Sequence, residues 1–597
     1  MKRFFIFYFI YITHFSYAQE VVSDLLSNPI SNNNVFITNA YKSSVTLPFI
    51  DDFSYNSSNV DPLLWEKGGV FVNRSLPINP PTIGVATFDG LNEFGLARDF
   101  NTSNNFDPSD TLLSKKINLS NLTSVYLMFY YQAQGLGDSP ELQDKLILEF
   151  LNDTLAWEQI WVATNDTLTE EFTKVVKVID QSRFMHDDFQ FRFRNYATIT
   201  GNFDHWHLDY IKIAELLSAS DTIDLNDLSF VYSSPSFLQR YSEMPWVQFL
   251  NNQQDELKDS IDIKLRNNNA STNVDYQFNV FENSNQIYHY PSIGISRNIS
   301  VLDYDSIGNF SLTNPSINIE SNIFSSIQPL STSFIIQNII GTANSDNKFN
   351  DTLYHIQNFD YHFSYDDGTA ESAYGINTDG AKLAYEFHLN RPDTLRAVQM
   401  YFPQMLDSVN HIPFKLIIWN KTNGLPGDTL YSEIFYPIHS ENGFYHTYYL
   451  SKPLNIIGSF YVGWEQTTND LLNIGFDKNN VANNYMFYNI GAGWATSSFT
   501  GSWMIRPLFS ENELLTNLPE LKYEFDIYPN PAISEIFIKT LSTNNTISIY
   551  SNKGRVLSKL YTNSTLTKIN IRALSSGVYF IEVLNDNSRG YKKMIIK

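Results

Sequence analysis

Residues Asp188–Tyr196 read DFQFRFRNY. Phe189, Phe191 and Phe193 fall on one side of an extended chain, and Gln190, Arg192 and Arg194 on the other. A strict period of two is the mark of a half-buried antiparallel strand. The same grammar recurs along the chain in SVYLMFYYQ (124–132), KLILEFL (145–151), SIDIKLRN (260–267), FKLIIWN (414–420) and SFYVGWEQ (459–466). Clusters of Asn, Asp, Gly, Ser and Pro separate these runs, and almost nothing has helical periodicity. Many short strands joined by polar turns predict an all-β chain of tandem β-sandwich or jelly-roll domains.

Composition limits the function. The chain has 597 residues, 43% hydrophobic and 15% aromatic, enough to fill several cores. Its net charge of −23 argues against nucleic-acid binding, which needs basic patches to meet phosphates. The absence of cysteine removes thiol catalysis, thiolate zinc sites and disulfides. Lys2 and Arg3, the apolar run Phe4–Ile12 and the small-residue pattern Ser16–Ala18 read as a signal peptide cut between Ala18 and Gln19. The apolar run is too short to span a bilayer, and no later stretch is long enough, so no transmembrane segment is expected after cleavage.

Composition shifts suggest an order of parts: signal peptide 1–18, an Asn/Ser-rich loose lead-in 19–45, a first aromatic β block 46–217, an immunoglobulin-like sandwich 218–355, a second aromatic block 359–511, a linker 512–522 and a terminal module 523–597. FIDDFSY (49–55) and FSYDDGTAE (363–371) each place an Asp pair beside aromatics near the start of a large block, a hint of duplication.

The terminal module carries YPNP (528–531), ISIYSNKGRVL (547–557), SSGVYFIEV (575–583) and a basic last strand to Lys597. These motifs closely resemble the type A C-terminal sorting domain of the type IX secretion system of Bacteroidota. The resemblance implies an address, read by the secretion machinery, with Pro529, Asn530, Pro531, Gly554, Gly577 and Lys597 as its signature positions. The segment reads locally as a small antiparallel sandwich of about seven strands, with Gly554 free to take positive φ in a hairpin turn.

FIDDFS, WEKGGVFVN, PPTIGVATFDG and WHLDYIKI make the first block similar to MAM and concanavalin-like jelly rolls. In that resemblance acidic residues of the first and last strands hold a structural calcium, and Asp51, Asp52 and Asp209 are the matching positions; the alternative is that these residues cap turns and strand ends. On a strand DHWHLD (204–209) would put His205, His207 and Asp209 on one face, a set that could bind zinc. Ile211 and Ile213 continue that face, so ordinary packing, or a bulge, competes with the metal.

The second block holds Trp419, Trp464, Trp494 and Trp503, which either fill the core or offer a stacking platform to a glycan. No HExxH or GxSxG is present, and ELQDKLILE does not fit the spacing of a concanavalin-like glycosidase pair. Asp followed by Ser or Thr and an aliphatic residue recurs from Asp110 to Asp428 in a pattern that looks like the O-glycosylation acceptor of Bacteroidota. The expectation is an exported, non-catalytic surface protein, an adhesin or glycan binder. The alternatives are a hydrolase with an unrecognised site and a structural component of the surface or gliding layer.

Overall fold

The computed structural model describes residues 20–28, 44–509 and 525–597, apart from internal stretches at 67–68, 100–104, 166–170, 223–226, 260, 269–271, 283, 292–296, 303–305, 312–330, 342–345, 405–411, 440–444, 541–542, 544, 552–555, 563, 573, 575 and 586–587. Residues 1–19, with the expected signal peptide and its cut between Ala18 and Gln19, the expected linker 512–522 and Gly554 lie outside the described residues. The described chain is all-β, with two short α-helices at Trp246–Asn251 and Gln253–Glu256. It divides into two compact units, one reaching Phe509 and the other lying within 510–597.

Phe191–Thr198 is a strand, and its register shows why the alternation is there. It pairs Phe191 with Phe150, Arg192 with Glu149 and Phe193 with Leu148. Phe191 and Phe193 are fully buried, and Phe193 packs on Phe129 of the opposite sheet at 4.8 Å, edge to face. On the other face both arginines bond Glu149, at 2.6 and 2.9 Å. One layer consists of Trp157–Thr164, Lys145–Leu151, Phe191–Thr198 and Phe106–Leu113. The facing layer orders Thr173–Ile179, Val125–Ala133, Trp206–Glu215, Val85–Phe88 and Phe71–Asn73, with Phe49–Asp51 also on Trp206–Glu215. Burying such aromatics contributes about 1.5–3 kcal/mol each, and stability without disulfides follows from their number.

The facing layer is covered on both sides. Its inner side meets the sandwich core through Leu127, Phe129 and Trp206, and its outer side carries Tyr126, Met128, Tyr130 and Tyr210. The segment Ile78–Thr82 lies over that outer side: Thr82 bonds Asp209, Ile78 bonds Gln132, and Pro81 O accepts from Ser229 and Asn268 farther along the chain.

Beyond residue 227 a three-stranded sheet (Leu228–Phe230, Asp262–Asn267, Ser306–Ser311) faces a second sheet built on Thr272–Glu282, Thr332–Gly341 and Thr352–Phe359. Its apolar core runs without a break into that of the second aromatic block, with Tyr241 against Phe363 at 4.8 Å. The second block has a six-stranded sheet in the order Leu425–Phe435, Phe414–Thr422, Ser459–Gln466, Lys382–His388, Met486–Asn489, Trp494–Thr496, opposed by His446–Ile456, Asp393–Met400 and Ile505–Phe509.

The lead-in is not loose at its start. Glu20–Ser23 is a strand that pairs antiparallel with Ser372–Ile376 and completes a sheet of the second block. Leu25 and Leu26 are buried, Asn202 N bonds Leu25 O, and Asn28 N bonds Gly95 O, so this short segment also ties into the first block. The Asn/Ser-rich composition belongs to residues 29–43, outside the described set.

The second unit holds a three-stranded sheet (Asp526–Tyr528, Glu535–Lys539, Leu566–Asn570) and a four-stranded one (Val556–Thr562, Asn545–Ser551, Gly577–Asn585, Ser588–Ile596). Ile536, Ile538, Ile547, Ile549, Ile581 and Val583 fill the space between them, each from the alternating positions of its strand.

Candidate functional site

Asp51, Asp52 and Asp209 are all buried, and the structure gives each a different set of partners. Asp51 accepts the Trp65 indole N–H at 2.6 Å and the Phe53 amide at 3.0 Å; burial, foremost, pushes its carboxyl up to about 7. Asp52 Oδ1 takes the amide and hydroxyl of Ser54, while its Oδ2 turns to Asn347 and Asn350. Asp209 accepts from the amide and hydroxyl of Thr82 and from the Tyr210 amide. Among the described residues no three His, Asp or Glu side chains converge as a ready-made metal set.

His205 and His207 are sealed in, stacked 6.3 Å apart. All four of their ring nitrogens have partners: His205 meets the Asp138 amide and Asn202 Oδ1, and His207 meets Thr87 Oγ1 at 2.8 Å and Gln134 O at 3.2 Å. Gly135 and Gly137 press against the rings so closely that an added Cβ would sit 2.6 Å from His207 Nε2 and 2.4 Å from His205 Nδ1. Burial pushes the imidazoles down to about 3 and about 4. These neutral, hydrogen-bonded histidines hold the 134–138 loop to the sheet. Ile211 and Ile213 do not continue their face: the ladder breaks between Asp209 and Lys212, Tyr210 takes φ 47°, and the parity of the strand switches. Trp206 and Leu208 before the bulge and Ile211 and Ile213 after it all enter one core.

Of the tryptophans, Trp464 and Trp503 are fully buried in the core of the second block. Trp419 and Trp494 lie on the opposite face of the six-stranded sheet, with Ala384, Ile417, Tyr461 and Phe487. Their strands are separated by three others, yet the rings meet edge to face at 5.6 Å. The sheet must therefore curl toward this side. The register row Ile417, Gly463, Ala384, Phe487, Thr496 shows how: small residues at its middle leave room for the rings from both ends. Gly463 is obligatory there, since an added Cβ would lie 1.8 Å from Leu383 O. Trp494 is half-buried and follows Gly491 and Gly493, both at positive φ with open space about them.

Polar groups border this aromatic patch. Tyr461 donates to Glu386 at 3.0 Å and Gly424 O at 2.8 Å, Lys421 pairs with Glu386 at 2.5 Å, and Lys415 and Lys382 pair with Glu465 at 2.6 and 3.4 Å. The patch offers part of an indole face beside hydroxyl, carboxylate and ammonium groups, the chemistry that holds a pyranose ring. Tryptophan counts pointed to this block; the choice of Trp494 depended on the curl of the sheet.

A second group escaped sequence reasoning. Asp366 pairs with Arg506, which stacks on Tyr445 at 4.2 Å, and His362 bonds Glu243 at 2.9 Å. Nearby, burial and then Asp367 push Glu371 up to about 7, and Asp477 accepts the Asp367 amide at 2.9 Å. Glu371 in turn accepts the Lys478 amide and the Thr369 hydroxyl.

In the second unit the YPNP motif is fastened to the last strand. Asn530 donates to Lys593 O at 2.7 Å and accepts the Ile595 amide at 2.9 Å. Ala532 N bonds Ile595 O, and Lys597 N bonds Ala532 O. Tyr528 stacks on Phe537 at 5.9 Å, and the peptide bonds before Pro529 and Pro531 are cis. Gly577 opens the strand that pairs with this last one.

Residues 526–597 match the family of secretion system C-terminal sorting domains. No curated protein matches the chain. Among solved structures it is similar to PorZ, a surface component of the type-IX secretion system of Porphyromonas gingivalis, at 15% identity over 22% of this chain and 17% of that one, with a TM-score of 0.12. It is also similar to the BSP domain of a biofilm-associated protein (9% identity, 83% and 95% covered, TM-score 0.12) and to the tandem CBM22 domains of Paenibacillus barcinonensis Xyn10C (8%, 73% and 99%, 0.19). Likenesses this slight carry no argument about function. The family match does: residues 526–597 are a type IX secretion C-terminal sorting domain, and the protein that carries it is secreted or attached to the cell surface.

Proposed function

We propose that the part delivered by the sorting domain is a non-catalytic binding protein, an adhesin or glycan-capturing protein, with the curved face of the second block as its ligand site. The observation that supports this is Trp494, a half-buried indole presented by a glycine-flanked turn and backed by Trp419. Its neighbours Glu386, Lys421, Lys382 and Glu465 form rigid, paired hydrogen-bonding groups around it.

A glycan array probed with the mature chain tests the proposal. Binding to a restricted set of sugars is expected, lost at least tenfold in Trp494→Ala, with the melting temperature little changed because the ring is not fully buried. A blank array, or binding that survives Trp494→Ala, would sink it. Turnover of a polysaccharide or casein panel would instead support a hydrolase.

A further inference from the structure

Asp52 faces away from Asp51 and Asp209 with one of its oxygens, and what it meets there is a junction of three segments. Asn347 and Asn350 both donate to Asp52 Oδ2, at 2.5 and 3.0 Å, and the same Asn350 nitrogen reaches Asp227 Oδ2 at 2.8 Å. Asp52 follows the strand Phe49–Asp51, Asp227 precedes Leu228–Phe230, and Asn347 and Asn350 lie in the connection between Thr332–Gly341 and Thr352–Phe359. Asp52, Asp227, Asn350 and Asp351 are 6%, 0%, 1% and 6% exposed.

Three oxygens at this junction, Asp227 Oδ1, Asn350 Oδ1 and Asp351 Oδ1, are sealed from solvent and receive no hydrogen bond. A buried carboxylate oxygen without a donor is costly, and this cluster leaves two, besides an amide carbonyl. Charge is unbalanced as well. Asp52, Asp227, Asp346 and Asp351 gather against Lys348, which pairs with Asp346 and Asp351, and against Arg74, which feels Asp52. Burial first, and then Asp52, Asp346 and Asp351, hold Asp227 well above the ordinary carboxylate range.

The two asparagines explain how the same residues could form a cation cage. A half-turn of a side-chain amide exchanges its nitrogen for its oxygen without moving other atoms. Turned so, Asn350 would place its carbonyl oxygen where its nitrogen now meets Asp52 and Asp227, and Asn347 would turn its own toward Asp52 at the cost of the bond its Oδ1 accepts from the Phe349 amide. Carboxylates and amide carbonyls are the hard ligands of calcium, which accepts six to eight oxygens in an irregular shell, water included. Because amides supply part of the set, no triad of acidic side chains is required. We infer that Asp52, Asp227, Asn347 and Asn350 form a calcium site that pins the first block to the sheets that follow it.

The test uses the mature chain stripped with chelator and titrated with CaCl2, by calorimetry and by melting. The wild type should bind a single Ca²⁺ and melt several degrees higher, reversibly with EGTA, with MgCl2 giving a smaller shift. Asp227→Asn should lose the response, yet melt no lower than the wild type in chelator, because it removes a charge that the metal-free junction does not compensate. Asn347→Ala provides a second variant that should weaken Ca²⁺ binding at least tenfold. Asp209→Asn should keep the response. A wild type indifferent to calcium, an equal response to magnesium, or an Asp227→Asn chain that still responds in full would overturn the assignment; loss in Asp209→Asn alone would return the ion to the Asp51, Asp52 and Asp209 set.

Discussion

Replacing His207 with Gln should cost the fold about 2 kcal/mol less at pH 5 than at pH 7. His207 Nε2–H donates to Gln134 O, and Nδ1 accepts from the Thr87 hydroxyl, which itself accepts from Asn73 at 2.6 Å. A second ring proton would have to displace that chain inside a site that water does not reach. Burial therefore sets the folded pKa at about 4, against roughly 6.5 in an unfolded chain. Above pH 6.5 both states are neutral and the native environment of the ring contributes in full. As pH falls from 6.5 toward 4, the unfolded chain takes up a proton that the folded one refuses, and stability is lost. At pH 5 that uptake is worth RT ln(1 + 10^1.5), or about 2 kcal/mol, with the folded form still mostly neutral. Gln cannot titrate, so the variant escapes this loss while suffering the same packing defect at both pH values. Buried carboxyls held up at about 7, such as Asp51 and Glu371, work in the opposite sense and gain stability as pH falls. They are present in both proteins and cancel in the difference. Urea unfolding followed by tryptophan fluorescence at pH 5 and pH 7 gives the four free energies needed. A variant whose deficit is the same at both pH values would refute the reasoning and show that the imidazole is charged, or solvated, in the native state.

Phe193→Ala should destabilise the first block by about 3–5 kcal/mol, since a fully buried ring on the Phe129 edge is replaced by a cavity; urea unfolding measures it. Asn530→Ala removes both bonds that fasten YPNP to the last strand, each worth about 1 kcal/mol; the chain should then be retained by the cells, and the ratio of surface-plus-medium to cell-associated protein reads this. Glycan mass, if the Asp-Ser/Thr-aliphatic pattern is used, should map by peptide mass spectrometry to Thr154 and Thr429, where acceptor and flanking residues are exposed. Thr111, Thr352 and Thr394 should stay bare, because Leu112, Leu353 and Leu395 beside them are in the core.

The all-β architecture was legible because burial on one face of a strand leaves a period of two in the residue string, as Phe189 to Arg194 show. The sorting domain was legible for a different reason: Pro529, Asn530 and Pro531 are contiguous and can be read as a motif, even though Asn530 acts through bonds to Lys593 and Ile595 far along the chain. The bulge at Tyr210 was legible only as one of two alternatives, since Ile211 and Ile213 on the His205 face asked for either packing there or a bulge. No glycine marks its place, and only the φ of 47° at Tyr210, which shifts the parity of the strand, decides for it. The state of His205 and His207 was not legible, because their partners come from Thr87, Gln134 and Asp138, far away in sequence. Imidazole ligands and hydrogen-bonded core imidazoles share one sequence pattern; the difference lies in what the rest of the fold brings to them. The strand at Glu20–Ser23 was hidden by its surroundings, since four residues beside a long Asn/Ser-rich run carry little periodic signal, and its partner is Ser372–Ile376.

The paired acidic motifs are where local and global information meet. Asp51 Oδ1 takes the amide of Phe53, and Asp52 Oδ1 takes the amide and hydroxyl of Ser54. In the second block Asp366 Oδ1 takes the amide of Gly368, and Asp367 Oδ1 takes the amide and hydroxyl of Thr369. Phe53 and Gly368, at equivalent places, both have positive φ, 51° and 92°. One four-residue turn, Asp-Asp-x-Ser/Thr, is thus built twice with the same bonds, which is stronger support for a duplication than the two shared Asp residues. A phenylalanine tolerates the strained position only where its side chain is repaid, and Phe53 is fully buried against Trp65. The turns then diverge in what the outward oxygens of the first aspartate meet: Asp51 Oδ2 accepts the Trp65 indole N–H, whereas Asp366 pairs with Arg506. The same local geometry is thus built by the turn itself, while its outward oxygens are left to the rest of the fold, an indole in one block and a guanidinium in the other, and it is there that the two copies part.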